Sequence, residues 1–232
     1  MTCMMNLNRI WEHIKKRMAR LLPERGGGAD NTSLIYQPLP HSEIRVVFLA
    51  PGKWDDRIHC TLETISLDDD PTYETLSYVW GDASIKKSIF LQNYNFQVTA
   101  SLESALRHLR REREERTIWI DALCINQTDD VEKTEQVKLM QYIYARTSHL
   151  VVWVGEASED SDLGMQTIRQ TGEELKEGDY TDVDLANVSL IQNLPHAIKD
   201  FDPKPWVAIN RLFRRTWFER IWVKFAPSGT CK

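Results

Sequence analysis

Cysteine is scarce in this chain, and its four copies are far apart. Cys3, Cys60, Cys124 and Cys231 form no CxxC and have no histidine pair near them. That excludes a disulfide framework and a zinc site, and it fits reduced thiols in a cytoplasmic protein. The six histidines are scattered singly, so no metal-ligand signature exists. Neither a Gly-x-Ser-x-Gly elbow nor an HExxH or GxGxxG pattern occurs, which leaves the ordinary hydrolase and metalloenzyme readings with little support. The run Gly26-Gly27-Gly28 is not followed by a GK[ST] triplet. Gly52-Lys53 has Trp54 where a phosphate loop needs a hydroxyl and Val47 where it needs its first glycine. No apolar run reaches membrane-spanning length, and no secretory signal opens the chain. Excess positive charge is missing too. A net charge of −5 argues against nucleic-acid binding, which needs a basic surface.

What is present centres on Trp119 to Gly155. Thr117–Ile120 is short, β-branched and aromatic, and Leu150–Val154 is a continuous apolar run closed by Gly155; both read as buried strands. Between them, residues from Val131 to about Thr147 carry helical spacing, with Val137, Met140 and Tyr144 on one stripe and Leu139 and Ile143 beside it. Strand, helix and strand make a βαβ unit on a parallel sheet, in which ligands sit outside the carboxyl ends of the strands. The loop Asp121–Asp130 therefore falls where chemistry is expected. At about 100° per residue, Glu132 and Gln136 turn into the apolar arc beside Asn126 and Gln127, with Lys133 near it. Asp129 reads as the N-cap and Glu132 as the N3 residue of a capping-box-like start, a structural role that coexists with a chemical one. Cys124 follows a buried strand in an apolar context and reads as an inert core thiol.

The remaining chain divides by composition. Residues 1–22 form a basic amphipathic helix with Leu7, Ile10, Trp11, Ile14, Met18 and Leu21 at helical spacing. It is a membrane-surface or partner-binding helix, or one docked on its own domain. Residues 23–33 are a Gly-rich linker. The folded domain spans 34–223. It opens with strands at Ile44–Leu49 and Ile58–Ile65, then a strand ending at Trp80-Gly81 and a hairpin around Asn93-Tyr94-Asn95. A helix capped by Ser101 follows and runs to about Glu114, its tail RREREER (110–116) being a solvated charge run. Helices are expected near 161–176, 185–194 and 206–213, with Trp217–Val223 a helix or strand left partly exposed. Residues 224–232 are an atypical, disordered tail.

Four stretches in this order carry a family resemblance: YETLSYVWGD (73–82), VTASLESALRHLR (98–110), TIWIDALCINQTDDVEKTEQVKLMQYIY (117–144) and LVVWVG (150–155). Together they resemble the heterokaryon incompatibility (HET) domain over roughly residues 36–223. Matching motif positions are Leu76, Ser77, Tyr78, Trp80, Gly81, Trp119, Asp121, Cys124, Ile125, Asn126, Gln127, Glu132, Gln136, Met140 and Tyr144. Arg215–Val223 matches the closing motif except at Thr216, but Lys224-Phe225-Ala226-Pro227 stands where the family carries Gln-Glu. The departure reads as a shortened product with an unrelated tail, and so as an inactive or weakened form.

The resemblance implies a fungal, cytoplasmic protein of non-self recognition that triggers programmed cell death, a form of innate immunity. It also implies a distant kinship with TIR domains and hence an α/β, Rossmann-like, mainly parallel sheet with flanking helices and a peripheral antiparallel part. The strands ending near Val79, Ile120 and Val154 should lie side by side, with 118–120 adjacent to 151–154. Two functions follow. One is an interaction module acting through protein partners or self-association. The other is a TIR-like glycohydrolase with NAD as substrate and no further cofactor. In it Glu132 is the catalytic carboxylate, stabilising oxocarbenium-like charge. Asn126 and Gln127 supply polar positioning, Trp80 offers a stacking face, and Ser77, Tyr78, Gly81, Asp121 and Gln136 complete the ligand-binding or motif set.

Overall fold

The computed structural model describes residues 32–40, 42–177 and 202–219. The amphipathic segment 1–22, linker residues 23–31, the helix near 185–194, residues 220–223 and the tail 224–232 lie outside the described residues. The chain forms two compact units, Met1–Gly155 and Glu156–Lys232.

In the first unit a short helix α1 (Thr32–Ile35) precedes strands β1 (Glu43–Leu49), β2 (His59–Ser66), β3 (Glu74–Tyr78), β4 (Lys86–Leu91) and β5 (Tyr94–Thr99). Helix α2 (Ala100–Leu109), strand β6 (Arg116–Trp119), a one-turn helix α3 (Asp121–Cys124), helix α4 (Asp130–Ala145) and strand β7 (His149–Trp153) follow. The seven strands build one sheet in the order β5-β4-β2-β1-β6-β3-β7.

This sheet is mixed, not mainly parallel. β3 runs parallel to β6 and β7, as expected for the strands ending near Val79, Ile120 and Val154. But β3 lies between the other two, so Ile118–Ile120 is not adjacent to Val151–Val154. The two longest ladders are antiparallel: β1 pairs with β2 from Glu43↔Ser66 to Leu49↔Cys60, and the β4/β5 hairpin runs from Lys86↔Thr99 to Leu91↔Tyr94. Nor is the antiparallel part peripheral, because β1 sits mid-sheet and pairs directly with β6. The reason is visible in β1 itself. Ile44, Val46, Val47 and Leu49 point to both faces of the pleat and all are fully buried, the condition of a strand covered on both sides. β7 carries an equally apolar run but is the edge strand, with Leu150 and Val152 exposed.

Local chemistry sets the element ends. Gln92 and Asn93 both take positive φ (52° and 65°) and form the two-residue turn that joins β4 to β5, one residue earlier than the expected loop. Thr99, not Ser101, caps α2 by accepting from the Leu102 N–H; Ser101 Oγ instead donates to Val79 O at 2.6 Å. Arg110 ends that helix in extended geometry and is buried. Its guanidinium donates to the carbonyls of Lys53, Trp54, Asp56 and Arg57, pinning the β1–β2 loop. At the other end of the charge run, Arg116 pairs with Glu74 and donates to Leu109 O at 3.0 Å. Only the middle of RREREER is solvated, because both flanking arginines have carbonyls or a carboxylate to neutralise. Tryptophan is used unevenly: Trp119 is fully buried against Tyr144 (ring centroids 5.8 Å apart), whereas Trp54 is exposed.

Gly81 follows β3 with φ +74°, and a Cβ there would stand 3.1 Å from Ser101 Cβ. The left-handed backbone alone costs an L-residue about 1–2 kcal/mol, and the close approach of α2 adds to it. Gly81→Ala is therefore expected to lower the urea-unfolding free energy by about 2 kcal/mol. A change under about 0.5 kcal/mol would show that the turn relaxes freely.

In the second unit, α5 (Ser161–Glu177) and α6 (Lys204–Phe213) approach at backbone level, since a Cβ on Gly164 would meet Ala208 O at 3.2 Å. Arg215 donates to Ser158 Oγ (2.9 Å) and Ser161 Oγ (2.6 Å), and Arg211 pairs with Asp160 at 2.9 Å. The hydrogen bond from Arg211 holds the Asp160 carboxyl below its usual range. Trp217 and Phe218 are half-buried, their rings 5.1 Å apart.

Candidate functional site

The parallel pair β3/β6 directs two chain exits to the same end of the sheet, Tyr78–Trp80 from one and Ala122–Thr128 from the other. A cleft of about 200 Å3 opens there. Tyr78, Trp80, Ala122, Asn126, Gln127 and Thr128 line it from these exits, and Lys86, Phe96, Thr99 and Leu102 from the hairpin and the start of α2. This is the position expected of a ligand site in a sheet with parallel strands.

Its walls are locked by side-chain bonds. Trp80 Nε1 donates to both carboxylate oxygens of Asp121 (3.1 and 3.3 Å), and Asp121 Oδ1 also accepts from the Ala122 N–H at 2.7 Å. Gln127 Nε2 donates to Asp121 O (2.8 Å) and Ile125 O (3.2 Å). Asn126 Oδ1 accepts from the Thr128 N–H (3.1 Å) and hydroxyl (2.7 Å). Such bonds to backbone groups fix which way each amide faces.

Glu132 is elsewhere. Asp129 caps α4 as expected, accepting from the Val131 and Glu132 N–H groups. Glu132 turns inward, also as expected, but into an ion pair: Oε1 lies 2.6 Å from Arg45 Nη1 and Oε2 3.1 Å from Nη2. Oε1 takes a third bond from the Asn126 N–H at 2.7 Å. Arg45 is 3% exposed and Glu132 11%. The same guanidinium donates to Cys124 O (3.1 Å) and Gln37 O (2.5 Å) and lies 5.0 Å over the Tyr36 ring. Charge, backbone and ring thus converge on one buried arginine, which ties β1, the α3 turn and α4 together. Gln136 is buried beside it and donates to Glu43 O at 2.9 Å. Glu132 and Gln136 line a second cavity of about 490 Å3, formed with Pro38–Pro40 and α4. The expected constellation is therefore split, with Tyr78, Trp80, Asn126 and Gln127 on the cleft and Glu132 and Gln136 on the other cavity. Ser77 lies within β3, in register with Val152, and Gly81 shapes the turn that follows.

Residues 73–224 match the heterokaryon incompatibility protein (HET) family. The chain belongs to that family. The chain is 32% identical over 213 residues to heterokaryon incompatibility protein 6, OR allele, of Neurospora crassa, a match covering 79% of this chain and 31% of the relative. The chain thus spans about a third of that relative's length. No solved structure matches it.

Two participants escaped the sequence reading. Arg45 sits inside the apolar run IRVVFL, and a charge in a strand buried on both faces signals a buried partner. Lys86 opens β4 in a polar context and gave no such signal. Cys124 is the inert thiol expected of it. It is fully buried, accepts from the Ile120 N–H at 3.2 Å, and burial pushes its thiol well above the ordinary range.

Proposed function

We propose that the chain acts in fungal non-self recognition as a cytoplasmic interaction module, whose engagement of protein partners or of further copies drives programmed cell death. Its family and its Neurospora relative supply the role. The observation that carries the module reading is that the motif carboxylates are consumed by the fold. Asp121 is held by the Trp80 indole and a backbone N–H, and Glu132 by Arg45 and the Asn126 N–H. A glycosidase-like step needs a carboxylate facing the substrate; no carboxylate lines the cleft, and Glu132, on the second cavity, has both oxygens on Arg45. Motif residues here organise a surface by fixing the exits of β3 and β6 and the start of α4.

The test sets the two functions side by side. The purified chain is concentrated until light scattering reports self-association and then incubated with NAD, and the same sequence is expressed in fungal cells. The expected result is growth arrest without nicotinamide release. Nicotinamide released in proportion to protein, and lost in Glu132→Gln with the fold intact, would overturn the module reading in favour of the glycohydrolase.

A further inference from the structure

The cleft at the ends of β3 and β6 has a composition that the interaction role does not use. Four aromatic side chains, Tyr36, Tyr78, Trp80 and Phe96, line it. The Trp80 indole N–H is already bonded to Asp121, so this residue offers its ring and not its donor. Asp121 holds that ring before any ligand arrives, which lowers the ordering cost of stacking on it. Lys86 is the one charged side chain among the lining residues, is exposed, and forms no ion pair among the described residues. The bonds already made by the two amides define what is left to offer. Asn126 uses its oxygen on Thr128, leaving its NH2 as a donor; Gln127 uses its NH2 on two carbonyls, leaving its oxygen as an acceptor. The space is about 200 Å3, below the range of about 300–1,000 Å3 that holds drug-sized ligands.

From these observations we propose that the cleft is a binding site for a single-ring aromatic anion, its ring stacked on Trp80 and its carboxylate or phosphate oxygens held by the Lys86 ammonium and the Asn126 NH2. A dinucleotide would extend well beyond the cleft. A cation would meet an ammonium and no carboxylate. Gln127 Oε1 favours a hydroxyl or N–H on the ring. Engagement of such a ligand spans β3, the β4–β5 hairpin and the Asn126–Thr128 loop, so binding couples three segments of the first unit.

Purified full-length chain is titrated with phenyl phosphate, benzoate, benzyl alcohol, benzylammonium and inorganic phosphate. Calorimetry gives the affinities and tryptophan fluorescence reports on the ring, with Trp80→Phe assigning the signal. The expected order places phenyl phosphate or benzoate at least tenfold tighter than benzyl alcohol, benzylammonium and inorganic phosphate. Comparison of the first two distinguishes a phosphate from a carboxylate ligand. Lys86→Met, a change at an exposed position that leaves the fold alone, should weaken the anions about tenfold and leave benzyl alcohol unchanged. Equal binding of anion and cation, anion binding indifferent to Lys86→Met, or no saturable binding would each overturn the proposal. None of these outcomes bears on the module reading, which turns on protein partners.

Discussion

Glu132→Leu is expected to lower the unfolding free energy by about 3–5 kcal/mol, because it strands a buried guanidinium without its counter-charge. Arg45 is almost wholly inaccessible and has no second carboxylate partner among the described residues, only the carbonyls of Cys124 and Gln37. Arg45→Met should cost a similar amount, since it leaves the Glu132 carboxylate with the Asn126 N–H alone. The two losses should not add. In the double variant Arg45→Met/Glu132→Leu neither charge is left behind, and a double-mutant cycle should show coupling of about 2–3 kcal/mol. What remains lost reflects the backbone groups of Gln37, Cys124 and Asn126 that no longer have these partners. Urea denaturation of the four proteins measures this directly. Coupling under about 0.5 kcal/mol would mean that water reaches the pair and that it does not organise the site. The prediction also bears on how activity data are read, because a Glu132 variant that loses function has first to be shown folded.

Stability should fall steeply on the alkaline side. Cys60 and Cys124 are buried, and burial pushes the Cys60 thiol up to about 12 and the Cys124 thiol higher still. In the unfolded chain both lose their protons near ~8.5. Above that pH the unfolded state binds fewer protons than the folded one, so each rising pH unit favours unfolding by about 1.4 kcal/mol per thiol. The two together should remove about 4 kcal/mol between pH 7 and 10, most of it above pH ~8.5. Burial likewise raises the Tyr36 and Tyr73 phenols above their ordinary value, which steepens the loss at still higher pH. Chemical denaturation at pH 7 to 10 should show that arm, and Cys60→Ala/Cys124→Ala should flatten it while lowering stability at neutral pH. A profile that stays level to pH 10 would show the thiols ionising in the folded state, in which case iodoacetamide would label them there as well.

Helix α4 was readable because its information is local. Asp129 in front of an amphipathic run announces a cap, and the helical wheel turns Glu132 and Gln136 inward, as the structure has them. Sheet order was not readable, because pleat periodicity says which residues face which side and nothing about which strand is the neighbour. IRVVFL and LVVWV are equally apolar, yet the first lies mid-sheet and the second at its edge. The interval between β6 and β7 suggested direct pairing, but β3 intervenes, so the crossover through α4 skips a strand. For the candidate site, the two exits and their amides were marked by motif spacing, whereas the partner of Glu132 was not. Arg45 lies 87 positions away on β1, and two inward-facing charges on separate elements become a pair only when the fold brings them together. Lys86 resembles any solvated lysine at the start of a strand until the hairpin carries it to the cleft.

The central claim is that the motif carboxylate Glu132 organises the fold and is not a reacting group. The double variant Arg45→Met/Glu132→Leu tests it most directly, expressed in fungal cells at a temperature where circular dichroism shows the purified protein folded. The account predicts that this chain without the Glu132 carboxylate still arrests growth to within about twofold of the parent chain when folded amounts are matched. A folded double variant that has lost growth arrest together with nicotinamide release from NAD would contradict it.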